Sequence, residues 1–166
     1  MRIKEYDRQA AVEYAQKWAY KRNPDYYNYN NIGGDCTNFA SQYVFAGAGI
    51  MNYTPTFGWY YRSTSNRTAS WTGVEDFYNF LIGNEKRIGN GAGPFAEDVT
   101  ADKIEIGDII QLGRANGDFY HSPVVVGFSN GVPLIAAHSY DAYGAPINSF
   151  TFELIRYIHI LGVRYN

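Results

Sequence analysis

The apolar residues of this chain change their spacing once, near residue 104, and that change restricts the fold more than any other feature. Before it the spacing is helical. "YDRQAAVEYAQKWAYKRNPDYY" offers Asp7 as a cap, sets Ala11, Tyr14, Ala15 and Trp18 on one face, and ends by Pro24. A polar, tyrosine-rich loop follows. From Cys36 to about Ala46, Phe39, Ala40, Tyr43 and Val44 predict a second helix, stopped by Gly47 and Gly49. "TGVEDFYNFLIG" predicts a third, with Val74, Phe77, Tyr78 and Leu81 on one side, and residues 83–101 read as a glycine-rich connection. Beyond it, "KIEIGDIIQLG", "HSPVVVGF", "VPLIAAHS" and "SFTFELIRYIHILGV" are β-branched and aromatic runs that predict strands, with Asn130-Gly131 as a hairpin turn. Helices followed by an antiparallel sheet over about residues 104–164 predict one α+β domain spanning 1–166.

Composition narrows what such a domain does. The chain has 166 residues, 46% of them hydrophobic, enough for one sizeable core. A net charge of −2 without runs of lysine or arginine gives no footprint for nucleic acid or an anionic membrane. No apolar stretch is long enough for a transmembrane segment, and no N-terminal stretch reads as a signal peptide. A single cysteine excludes an internal disulfide and any zinc site built from several cysteines. It leaves an inert buried thiol, a nucleophile, or one ligand of a mixed site in which His121 and His138 would join it.

That cysteine, Cys36, sits in "NIGGDCTNFASQ". Gly33 and Gly34 permit a tight turn, and Asp35 is a good cap for the helix that starts there. A thiol at the first helical position is expected to ionise more easily, because the helix dipole and free N–H groups favour the thiolate. The same N–H groups would serve an oxyanion. Asp35, as a neighbouring negative charge, opposes ionisation, so a basic partner is required.

Histidine supplies one. A two-residue turn at Asn130-Gly131 puts His121 opposite Tyr140 and His138 opposite Pro123, so both imidazoles fall on one face as diagonal neighbours about 7–8 Å apart. A three-residue turn would separate them unless a bulge intervened. In the first case His121 is the base for Cys36 and His138 orients it. His159, within the last strand, has no comparable partner and reads as structural. Trp59 and Trp71 lie in the long middle loop, either bordering a cleft where they would stack on substrate or packing the loop itself, with packing favoured.

Together, "GGDCTNFASQ", "SWTGVEDFYNFL", "IGDIIQL" followed by "HSPVVVGF", "LIAAHSYD" and "FELIRYIHI" resemble the bacterial "putative amidase domain" family over about residues 5–164. This is a papain-like branch of cysteine hydrolases, similar to the NlpC-type and CHAP-type amidases and peptidases of cell walls. The resemblance implies a nucleophile helix packed on a small antiparallel sheet, with Cys36 as nucleophile, His121 as base and His138, Asp141 or Asn148 as third member. It further implies an oxyanion-side residue among Tyr29, Asn30 and Asn31. Asp35 and Asn38 are motif residues whose physical reading is local, as cap and first-turn hydrogen bonder, and Asp108 is expected to tie down its strand. The implied substrate is an amide or peptide bond, such as one in peptidoglycan, with no cofactor or metal and a secreted or envelope location. The alternative is a non-catalytic wall-binding module on the same fold.

Overall fold

The computed structural model describes residues 1–84 and 91–166. The chain starts with a short strand, β1 (Arg2–Lys4), and then helices α1 (Arg8–Trp18) and α2 (Cys36–Ala48). A hairpin, β2 (Tyr61–Ser63) and β3 (Asn66–Arg67), and helices α3 (Ala69–Thr72) and α4 (Val74–Gly83) follow. The rest is β: β4 (Gly93–Val99), β5 (Ile109–Gly113), β6 (Phe119–His121), β7 (Val124–Ser129), β8 (Val132–Ala137), β9 (Ala142–Pro146) and β10 (Leu154–Tyr165). Eight of these strands form one sheet in the order β1-β10-β5-β7-β8-β9, with β4 paired to β10 and β6 to β5, all antiparallel. The architecture is α+β.

Strand β4 falls inside the stretch read as a connection, of which residues 85–90 lie outside the described part. Its "GPFAEDV" lacks strand composition, yet it pairs with β10 from Tyr157 to Arg164. Here tertiary pairing overrides local propensity.

Helix α1 is capped as expected, with the Asp7 carboxylate accepting from Ala10 N at 3.0 Å. Helix α2 runs through Gly47 and ends only at Gly49, whose φ of 68° makes the left-handed cap. Gly47 instead permits a close approach: a Cβ there would lie 2.5 Å from the Tyr6 ring, where Asp7 N reaches Gly47 O at 2.9 Å.

Helix α2 is buried on nearly every side, so each polar side chain on it must find a protein partner. Thr37 meets the Ser122 hydroxyl at 3.2 Å, and Asn38 donates to Tyr27 O and Asp35 while accepting from Trp71 Nε1. Ser41 accepts from Trp59 Nε1 at 3.1 Å. On its apolar side Phe39, Ala40, Tyr43 and Val44 enter the main core, and Tyr43 donates to Val125 O at 2.6 Å. These bonds fix the rotation of the helix against the sheet, and with it the direction of Cys36.

The Asn130-Gly131 hairpin forms as a two-residue turn with both residues at positive φ, and Ser129–Val132, Phe128–Pro133 and Gly127–Leu134 pair in the expected register. Then the register slips: Val125 faces Ile135 and Val124 faces Ala136, leaving Val126 as an extra residue. A one-residue slip exchanges faces. The diagonal pairing of His121 with His138 therefore does not form.

Candidate active site

Cys36 opens helix α2 after Asp35 and the turn made by Gly33 (φ 80°) and Gly34 (φ 99°), backbone that side-chain-bearing residues rarely adopt. Its sulfur lies 3.8 Å from Tyr120 O and 3.7 Å from the Thr37 hydroxyl, against the strand that ends in His121. Cys36 and His121 share the wall of a cavity of about 270 Å³, completed by the glycine turn, by Leu112, Tyr120 and Phe150, and at its rim by Ser139, Tyr140 and Thr151. Strand β6 places His121 through pairing with Leu112 of β5. The imidazole packs 6.1 Å from the Phe150 ring.

Both groups are shifted toward neutrality. Burial pushes the Cys36 thiol up; the Thr37 hydroxyl and the backbone N–H groups of Ser122 and Thr37 pull the other way without reversing it, and the Asp35 charge adds to the rise. The expected easier ionisation at the helix start is thus outweighed by desolvation. Burial alone lowers His121 from 6.5 to about 4. Burial thus favours the neutral form of both side chains.

The His121 shift has a consequence for stability. Because its folded value lies below the unfolded one, the unfolded chain binds the extra proton, and the contribution is present above about pH 6.5 and lost as pH falls toward 4. Unfolding midpoints measured across that window are expected to fall more steeply for the parent than for His121→Gln.

Asp35 occupies the N-cap position without capping. Its carboxylate, 1% exposed, turns into the protein: Oδ1 accepts from Tyr29 N at 2.8 Å and Asn38 Nδ2 at 2.9 Å, and Oδ2 meets His138 Nδ1 at 2.6 Å. Arg22 Nε stands 3.5 Å away, its guanidinium also gripping Asp141 through two bonds of 2.9 Å. Burial raises the Asp35 pKa, but the hydrogen bonds from His138, Asn38 and Tyr29 N–H outweigh it and hold the carboxyl below its ordinary value. His138 is as deeply buried, stacked on Phe39 at 4.0 Å, with Nε2 2.8 Å from Trp18 O. Its two partners, a carboxylate oxygen and a backbone carbonyl, occupy both ring nitrogens. Neither nitrogen is left for His121.

The other expected site residues divide. Asn30 accepts from the Ser139 hydroxyl at 3.3 Å, at the edge of the cavity, and Asn31 is exposed. Tyr29 is buried with Arg67 5.0 Å from its ring centroid. Asp141 is held by Arg22, and Asn148 is exposed in the turn after β9. Trp59 and Trp71 are wholly buried, 4.8 Å apart between ring centroids, and line none of the cavity around Cys36: the long loop folds inward and makes them core. His159, read as partnerless, bonds Asp108 Oδ2 through Nδ1 at 2.7 Å, while Arg8 and Ile160 N hold the other oxygen, so Asp108 ties the entrance of β5 to α1 and β10. Among the described residues no three His, Cys, Asp or Glu side chains are grouped to hold a metal ion, and no helix is long and apolar enough to cross a membrane.

Two links escaped the sequence reading. One is the Asp35–His138 pair, 103 residues apart in the chain. The other is a buried polar relay from Thr37 through Ser122 to Gln111, whose Oε1 receives Arg156. A buried Ser-Pro step after His121 was the available signal for the second.

Two proteins of Bacillus subtilis (strain 168) are similar to the chain. Uncharacterized protein YhbB is 36% identical over 83% of this chain and 43% of its own length; uncharacterized protein YjcM is 27% identical over 87% and 33%. The chain thus spans less than half the length of these curated relatives. No solved structure matches it. Residues 5–160 match the family described as "Putative amidase domain", nearly the whole chain, and the chain belongs to that amidase family.

Proposed function

We propose that the chain is a cysteine amidase in which Cys36 is the nucleophile and His121 the general base. The observation that carries this is the shared cavity, with the sulfur against the carbonyl of the residue preceding His121. As the sulfur attacks an amide carbonyl carbon, His121 accepts the thiol proton. The first-turn N–H groups of α2, which the Asp35 carboxylate does not use, stabilise the oxyanion. The C–N bond breaks as His121 returns that proton to the departing amine, leaving a thioester. Water then attacks, giving its proton to His121; the C–S bond breaks, the acid leaves and the sulfur regains the proton.

Neutral resting groups suit this sequence, since the proton moves only with attack and a desolvated imidazole is available to receive it well below neutral pH. His138 supports the site indirectly, by holding Asp35 and hence the residue before the nucleophile. The papain-like relationship and a peptidoglycan amide as substrate belong to the same proposal, resting on the motif order and the helix-on-sheet layout. Incubation with purified peptidoglycan should release new amines, and prior alkylation of Cys36 with iodoacetamide should abolish the release. Release that survives alkylation would exclude the thiol mechanism, and wall binding without release would support a non-catalytic module.

A further inference from the structure

The turn between β8 and β9 is strained where it faces the cavity. Ser139 (φ 58°) and Tyr140 (φ 64°) both adopt left-handed backbone, which side-chain-bearing residues avoid and a bulky aromatic residue most of all. Ser139 explains its half: its hydroxyl accepts from Asp35 N at 3.0 Å and reaches Asn30, tying the turn to the cysteine loop. Tyr140 gains nothing of the kind. It is 95% exposed yet lines the cavity that holds Cys36 and His121. An aromatic side chain so little covered by protein at the mouth of a cavity offers its face to a ligand.

The cavity states what ligand. Among the described residues no Asp, Glu, Lys or Arg lines it, and its large side chains are Leu112, Tyr120 and Phe150 beside Tyr140. Two charges next to lining residues are already matched: Asp141 to Arg22, and Arg114 to Asp118 with its guanidinium 4.2 Å from the Tyr120 ring centroid. A charged substrate group entering there would lose water and meet no counter-ion, an unfavourable exchange.

We propose that this cavity is an acyl-side pocket selecting uncharged, apolar groups, with Tyr140 as a specificity-determining residue that closes over them. The inference rests on the cysteine-amidase reading. Its test uses p-nitrophenyl esters of N-blocked alanine, leucine, phenylalanine, glutamate and lysine, following p-nitrophenol release and thioester formation on Cys36 by mass spectrometry. Leucine and phenylalanine esters should acylate Cys36 at least about 30-fold faster than glutamate or lysine esters, the range a desolvated apolar pocket discriminates. Tyr140→Gly should reduce phenylalanine acylation about tenfold and the alanine ester little, while raising the thermal midpoint because glycine accepts the turn. Equal acylation by charged and apolar esters, or a Tyr140→Gly variant with unchanged preference, overturns the pocket while the amidase reading stands. Absence of Cys36 acylation by every ester overturns both.

Discussion

Asp35→Ala is expected to lower the stability of the fold by about 3–5 kcal/mol, since each buried partner left unsatisfied costs about 1–3 kcal/mol. The substitution leaves Tyr29 N–H, the Asn38 amide and His138 Nδ1 buried without their acceptor, each an unfavourable orphan. Asp35→Asn should lose less, since an amide oxygen still accepts from Tyr29 and Asn38. Urea unfolding at neutral pH measures both. The pH profile supplies an independent check. Because the folded carboxyl lies below its ordinary value, its contribution is complete above about pH 4 and disappears as pH falls through the lower folded value. The parent should therefore lose stability in acid where Asp35→Ala shows a flatter profile. An alanine variant within about 1 kcal/mol of the parent would show that this cluster does not anchor the cysteine loop.

The second large effect is on turnover. Cys36→Ala should reduce kcat/KM at least about 10⁴-fold, and His121→Ala about 10²–10⁴-fold, the usual contribution of a general base. The double variant should be no worse than Cys36→Ala, because in the proposed mechanism the two groups act on one proton. Neither should alter secondary structure. With His121 neutral down to about pH 4, activity should persist through pH 5 instead of falling near 6.5. An acid limb near 6.5 would mean that the imidazole is solvated in the working enzyme.

How far the sequence alone discloses this arrangement depends on the range of the interactions. Helices α1, α2 and α4 are written in local spacing, and the Asn130-Gly131 turn in its own two residues. Strand β4 is not, because Gly93, Pro94, Glu97 and Asp98 read as loop until β10 offers them a ladder. The bulge at Val126 has no local signature, yet it decides which face His138 takes. Gly-Gly-Asp correctly marks a helix start, but local rules make Asp35 a cap when a histidine and an arginine drawn in from elsewhere recruit its carboxylate. Trp59 and Trp71 are ambiguous for a related reason: a loop rich in aromatic residues can line a cleft or fill a core, and only closure against Ser41 and Asn38 decides. Cys36 and His121, in contrast, line one cavity, which the order of their motifs suggests and the hairpin register, broken by the bulge, does not.

The proposed mechanism depends on a sulfur that becomes covalently acylated. Mixing the purified chain with a p-nitrophenyl ester at neutral pH, quenching in acid and mapping the peptides addresses it directly. An acyl group is expected on the peptide bearing Cys36, formed much more slowly in His121→Ala. An unmodified Cys36 peptide while ester or amide is being consumed would contradict it.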